Sequence, residues 1–444
     1  MGEEEKKKGF TVTDRRVKLD DETKPQPEST PSQELYPEQS SEQKPPKPPP
    51  PIAEISFASF IMSLNTSALI HLGLLPDPVS GKVEQNLEKW LNRRETIIIK
   101  GPRQAGKTTL LLHLKERLGG EYVTLEDPDM LKEFNERPKQ FAERFRGNLF
   151  LDEVQYSKNA GRYIKLIYDL FPDTKLFVSG SGSFDVRVPI GKHLVGRAVY
   201  FELYPLSFEE FLSWKAKDLY PIYQQGKRVV EEFMEGKESC PEIAFENEFR
   251  QLLEEYVIYG GFPAIVKEDD VETKIHLLKA LQQTYLEKDV FFFFDVRHLE
   301  KFRDVLYFLS FNICNLLEHF TLSDRLSIDI RTLMHYLAVL ENTYIISLIR
   351  PFFKNLSTEL RKRRKICFLD TGLRNSILSN FLPLSKRTDK GKLLENHIFI
   401  QLRNFGEIRY WRTKGKAEVD FVLSKGEELI LSLIHISEPT RLGM

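Results

Sequence analysis

Residues 101–108 read GPRQAGKT, which has the spacing G-x-x-x-x-G-K-[ST]. Gly101 and Gly106 let the backbone curl so that its N–H groups point at phosphate oxygens. Pro102, Arg103, Gln104 and Ala105 fill the turn between them, and Thr109 closes the set expected to touch ATP. Lys107 is placed to reach the β- and γ-phosphates, and Thr108 to offer a hydroxyl to Mg²⁺. The flanks suit a P-loop. ETIIIK before it is a β-branched run that reads as a buried strand. TLLLHLKERL after it has helical spacing. A glycine-bounded turn with a chance Lys-Thr is the competing reading, and the two flanks argue against it.

A second signal is NLFLDE at 148–153, an apolar run ending in two carboxylates. Asp152 at the end of this strand suits Mg²⁺ through its water shell, the Walker B role. Glu153 beside it is the residue type that polarises an attacking water. Alone, the pair would read as two acids ending a strand; the P-loop upstream reverses that. A Glu directly after this Asp is typical of hydrolysing ATPases that insert a strand between the two Walker strands. Another strand is expected at 175–178, ending in Ser179-Gly180-Ser181. Ser179 reads equally as a contact to the γ-phosphate or water and as part of a Ser/Gly turn. Arg197, in LVGRAVYFELYPLSFEEF, reads equally as a surface residue and as an arginine that reaches a γ-phosphate, in cis or from a neighbouring subunit.

Taken in order, GPRQAGKT, NLFLDEVQ, LFVSGSGS and VGRAVYFELYPLSFEEFL resemble the AAA-type ATP-binding proteins of prokaryotes that carry a C-terminal domain of unknown function. The resemblance spans about residues 87 to 430. It implies an α/β P-loop NTPase fold, a parallel sheet with helices on both faces, and ATP and Mg²⁺ as ligands. By that likeness Lys107, Thr108, Asp152 and Glu153 take the Walker roles, and Ser179 and Arg197 the sensor or finger roles.

The elements that must carry these residues sit in a chain of 444 residues, enough for about three domains. A net charge of −1 excludes a protein held to DNA by bulk charge, although local basic patches remain open. Cys240, Cys314 and Cys367 are far apart in sequence, so no disulfide framework or zinc pair follows, and a cytoplasmic setting is expected. MGEEEKKK lacks the pattern of a signal peptide.

Residues 1–51 are rich in Glu, Lys, Ser, Gln and Pro and end in KPPKPPPP, so disorder and a spacer role are expected. Residues 52–86 hold an uncharged stretch from Phe57 to Leu75. Phe57, Phe60, Ile61, Leu64, Ala68 and Leu72 recur at helical spacing, with Ser59, Ser63 and Thr66 on the other side. This predicts an amphipathic helix for packing or self-association rather than a membrane span. The first 86 residues, with EEEKKKGFTVTDRR and SFASFIMSLNTSALIHLGLLPDP, resemble the start of a short bacterial domain family of unknown function. The pattern stops near Asn86, which leaves both a true fusion and a chimeric join open.

Residues 87–215 are then the ATPase core and 216–300 a helical connector. YGGFPAIV within the connector predicts a helix stop and turn, and Phe291 to Phe294 a core wedge. In 301–369, LSDRLSIDIRTLMHYLAVLEN predicts a helix-turn-helix, with TYIISLI and KICFLD as a wing. The basic run RKRRK at 361–365 reads either as a DNA phosphate contact or as a solvated face. Residues 370–430 resemble a truncated restriction-nuclease-like fold, with Glu395 on a helix and Glu418 and Asp420 on one strand face as carboxylates able to hold an ion. The next strand should bring an acid and a Lys; ILSLIHISEPTRLGM has no Lys and no acid before Glu438, so no nuclease activity is expected. Residues 431–444 look like a translated sequencing adapter, which predicts an unstructured end. The expectation is a Mg²⁺-dependent P-loop ATPase whose nucleotide state switches its C-terminal modules. The alternatives are a nucleic-acid-binding effector with a regulatory ATPase, and an interaction module with a decayed nuclease fold.

Overall fold

The computed structural model describes residues 82–181, 193–226, 244–285, 299–352, 362–403, 406–412, 418–425 and 428–432, with residues 290, 296 and 298. The readings for 1–51, for the helix within 52–81, for Phe291 to Phe294 and for 433–444 fall outside these residues. Among the described residues no helix is long and apolar enough to cross a membrane.

β1 (Thr96–Lys100) is the expected β-branched strand, and the P-loop leads from it into α2 (Lys107–Leu118), with α1 (Lys82–Leu91) upstream. β2 (Glu121–Thr124), α3 (Pro128–Glu136) and α4 (Pro138–Arg144) follow. Asp127 starts α3 by accepting from the amides of Asp129 and Met130, with Pro128 as the first helical residue. β3 (Asn148–Asp152), α5 (Ala160–Leu170), β4 (Lys175–Gly180) and β5 (Ala198–Glu202) complete this part. All five strands run parallel in the order β2-β3-β4-β1-β5. β4 therefore lies between the two Walker strands, as the acid pair at 152–153 anticipates.

A parallel sheet must be covered on both faces. On one face Ile97 and Ile99 pack with Leu111 and Leu114 of α2 and with Phe150 and Phe177, whose rings stack at 4.5 Å. On the other, Ile98, Leu149 and Leu151 pack with Ile164 and Ile167 of α5 and with Phe134 and Phe141.

α6 (Phe208–Lys215) opens with a reciprocal cap in which Ser207 and Glu210 bind each other's backbone amides. α7 (Glu246–Tyr259) stops at Gly260, and Pro263 starts α8 (Pro263–Lys267), followed by α9 (Val271–Thr284). Next come α10 (Leu299–Phe311), β6 (Leu316–Leu317), α11 (His319–Arg325), α12 (Ile330–Asn342), β7 (Ile346–Ile349) and β8 (Arg364–Phe368). The strands form a sheet in the order β6-β8-β7. α13 (Thr371–Ile377) lies against α7, where Gly372 is obligatory because a Cβ there would stand 1.9 Å from the Tyr259 carbonyl oxygen. α14 (Lys390–Leu402) precedes an antiparallel sheet, β11-β10-β9, of β9 (Glu407–Arg412), β10 (Glu418–Lys425) and β11 (Glu428–Ser432). A single apolar core runs through α6 to α14 and the strands among them.

Two expectations change here. The unstructured end does not begin at 431, because Leu431 and Ser432 pair with Val422 and Phe421 in β11. RKRRK is not a free basic patch. Arg363 is ion-paired with Glu318, Arg364 stands 3.8 Å from Glu341, and Lys365 is fully buried, while Arg361 falls outside the described residues. Cys314 and Cys367, far apart in sequence, are buried free thiols side by side, and burial pushes the Cys314 thiol up.

Candidate nucleotide site

The P-loop lies at the C-terminal edge of the sheet, where parallel strands and helix N-termini present their amides. Gln104 and Gly106 have left-handed backbone, with φ of 57° and 99°. Gly101 must be glycine because a Cβ would meet the Leu203 carbonyl oxygen at 2.0 Å. Ala105 and Pro102 are buried under the loop, while Gln104, Thr108 and Thr109 are exposed. The Lys107 ammonium lies inside the curl, donating to the carbonyls of Gly101 at 3.1 Å and Pro102 at 2.6 Å.

Asp152 is the hub of the site. Its Oδ2 accepts from Thr108 Oγ1 at 2.6 Å and from the Tyr122 hydroxyl at 2.8 Å. Its Oδ1 accepts from Ser179 Oγ and from the Glu153 amide at 2.9 Å. The hydroxyl and the carboxylate form a pair of hard oxygen ligands at the mouth of the P-loop, a donor set that fits Mg²⁺. Burial, then the Asp152 charge, raise the Tyr122 pKa, so this phenol stays a donor.

Glu153 is half-buried with left-handed backbone, φ 53°. Burial raises its pKa, Asp152 adds to this, and Lys107 and Arg103 oppose it. A carboxylate raised in this way is a stronger base than an exposed one. Its Oε2 accepts from the Gln155 amide.

Sequence reading missed Tyr122 and Gln155. Tyr122 lies opposite Phe150 in the β2–β3 register, two residues before Asp152 on its strand. Gln155 was visible as the last letter of DEVQ.

The structure brings Ser179 to Asp152, not to open space, on a strand paired with β1 through Ile99. Arg197 is not brought to the site. It immediately precedes β5, which runs parallel to β1, so it stands at the opposite edge of the sheet from Gly101. The length of β5 separates it from the P-loop edge by roughly 16 Å. The expected reach in cis is therefore corrected: Arg197 pairs with Asp169 at 2.9 Å. Only a neighbouring copy's site remains within the earlier reading. Arg197→Ala should leave the ATP affinity of the isolated chain unchanged and cost at most about 1 kcal/mol of stability. Calorimetric titration checks this, and a tenfold weaker affinity would contradict the placement.

The C-terminal carboxylates are also rearranged relative to expectation. Glu395 of α14 and Glu418 and Asp420 of β10 do come together, but among the described residues they form no group able to hold a metal ion. They converge instead on the Lys365 ammonium, at 2.6, 3.3 and 3.5 Å respectively. Lys365 is 0% exposed; burial works against its charge, but Glu395 and Asp420 hold its pKa above the usual value.

Residues 93–212 match the family model described as an AAA domain. This stretch therefore carries its P-loop within a match to the AAA domain. The AAA domain is followed by a match at 250–384 to a model described as a domain of unknown function, DUF8612. Residues 54–114 match a third, also a domain of unknown function, DUF1844, which overlaps the AAA match through the P-loop. The chain is similar to an uncharacterised protein of Methanocaldococcus jannaschii, 26% identical over 381 residues, covering 81% of this chain and 79% of that one. It is also similar to an uncharacterised protein of Haemophilus influenzae, 23% identical over 382 residues, covering 80% and 87%. Among solved structures, the Holliday junction branch migration motor RuvB of Thermotoga maritima is similar at 14% identity. That match covers 73% of this chain and 95% of that one with a TM-score of 0.24, a likeness too slight to carry a function across.

Proposed function

We propose that the AAA domain binds ATP with Mg²⁺, hydrolyses it with Glu153 as the group that activates water, and passes its nucleotide state to the C-terminal part. The observation that carries the first two steps is the convergence of Thr108, Tyr122 and Ser179 on Asp152 with half-buried Glu153 one residue further on. Thr108 and Asp152 would hold Mg²⁺, which supplies charge neutralisation to the phosphate oxygens when bound. The loop amides and Lys107 bind the β- and γ-phosphates. Ser179 and Tyr122 orient Asp152.

Support for the third step lies at the boundary of the AAA domain. Lys100, directly before Gly101, stands 3.9 Å from Glu202 at the end of β5. Glu202 accepts from the Tyr344 hydroxyl at 3.1 Å and from the Tyr204 hydroxyl at 2.5 Å. The Arg403 guanidinium lies 4.0 Å over the Tyr204 ring. A cavity of about 340 Å³ opens between Lys100, Ser181 and Glu202 on one side and Glu341, Asn342 and Tyr344 on the other. P-loop movement therefore has a direct route to α12 and the segment after α14. A DNA-contact reading of α11, α12 and β6–β8 lacks comparable support, because Arg363 and Arg364 are engaged with Glu318 and Glu341.

The test is Lys107→Ala. Loss of charge-assisted hydrogen bonds to phosphate should weaken ATP binding roughly 10- to 100-fold. Isothermal calorimetry with MgATP reads this directly, and unchanged affinity would remove the P-loop assignment.

A further inference from the structure

Gln155 is fully buried, yet nothing in the roles above uses it. It lies in the 3-10 turn Val154–Tyr156 that follows the left-handed Glu153. The turn is closed by the Tyr156 amide donating to the Glu153 carbonyl at 3.2 Å and the Ser157 amide to the Val154 carbonyl at 3.1 Å. This fold-back brings the Gln155 side chain alongside its neighbour two residues earlier. Its amide Nε2 donates to Glu153 Oε2, and its Oε1 accepts from the Ser181 amide at 3.3 Å. Ser181 is itself fully buried, one residue beyond β4, and lines the cavity at the boundary with the C-terminal part.

A primary amide suits this position because it offers a donor and an acceptor at once. A glutamate would set a second carboxylate against Glu153, and an apolar residue would leave the Ser181 amide without this acceptor. A buried donor or acceptor left unmade is expensive, so both ends of the Gln155 side chain are constrained. The carboxylate of Glu153 is thereby tied to the end of β4, the strand that also brings Ser179 to Asp152.

We propose that Gln155 is a positioning residue for ATP hydrolysis: it holds the Glu153 carboxylate in register with the end of β4. The proposal rests on the reading of Glu153 as the group that activates water. Gln155 itself touches no reacting atom. Its effect should appear in turnover and not in nucleotide binding, because its side chain is hydrogen-bonded to Glu153 and Ser181, while in the proposed function the phosphates fall to Lys107 and the loop amides.

The experiment compares Gln155→Met and Gln155→Glu in the full chain, each alone and combined with Glu153→Gln. Methionine keeps the length and fills the buried slot, while glutamate keeps the acceptor for Ser181 and removes the donor. Each single variant should lower kcat roughly 10- to 100-fold, the range expected for a lost hydrogen bond to a charged group. The KM for ATP and the calorimetric MgATP affinity should stay near the wild-type values. In the Glu153→Gln background neither change should lower single-turnover hydrolysis further, because Gln155 acts only through Glu153. Wild-type kcat in either variant overturns the proposal. So does an equal loss in both backgrounds, which would mean an effect on folding or on another group. If Gln155→Met does not fold, Gln155→Glu carries the same comparison. Failure of the underlying reading is separate, because it shows as normal turnover in Glu153→Gln alone.

Discussion

Glu153→Gln should lower ATP turnover by roughly 10²–10⁴-fold while leaving MgATP affinity close to wild type. The substitution keeps the shape and length of the side chain and removes the basic oxygen. Glutamine still accepts from Gln155 through one oxygen, so the turn Val154–Tyr156 should hold. Binding should persist because in the proposed function the phosphates fall to the P-loop and Mg²⁺ to Thr108 and Asp152, not to Glu153. Steady-state phosphate release together with calorimetry separates the two effects. Turnover within a few-fold of wild type would assign water activation to another group.

Lys365→Met should destabilise the C-terminal part by about 3–5 kcal/mol at neutral pH. The ammonium is enclosed by Glu395, which is fully buried, and by Asp420 and Glu418. Removing it takes from this desolvated site the cation that the three carboxylates share, leaving Lys392 at 2.8 Å from the outer oxygen of Glu395 and Arg412 at 3.6 Å from Glu418. Such carboxylates bind protons more tightly when folded than when unfolded. The folded variant therefore carries more protons above the ordinary carboxylate range, and its stability should fall as pH rises through that range. Acidification from pH 7 towards pH 5 should recover part of the loss. Thermal or urea melts of both proteins across this range read the sign. A variant as stable as wild type at pH 7, or one losing further stability on acidification relative to wild type, would mean that Lys365 does not balance these charges. The same geometry bears on metal binding: a divalent ion at these three carboxylates would have to displace the ammonium, which already satisfies Glu395 Oε1.

The P-loop was legible from residues 95–118 alone because strand, turn and helix are consecutive there. A phosphate cradle needs only backbone curvature at two glycines and a lysine and hydroxyl at fixed offsets, all of which are local. Asp152 and Glu153 were legible for a related reason: an apolar run ending in acids places them at a strand's C-terminal end whatever its neighbours are. What surrounds Asp152 was not local. Tyr122 and Ser179 reach it only because β2 and β4 flank β3 in a particular register, and strand order is a property of the whole sheet. Arg197 shows the same dependence with the opposite result. Its place before β5 becomes decisive once β5 is known to run parallel to β1, which puts it at the far edge. Lys365 is the strongest case. Within RKRRK it is one of five like charges, and a charge run is ordinarily a solvated face. Packing of β8 between β6 and β7, with α14 and β10 supplying carboxylates from far along the chain, turned one of those charges inward. Local spacing therefore determined the P-loop, because that motif is built from consecutive residues. Tertiary structure decided which charges are buried and paired, because burial depends on residues that share no stretch of sequence.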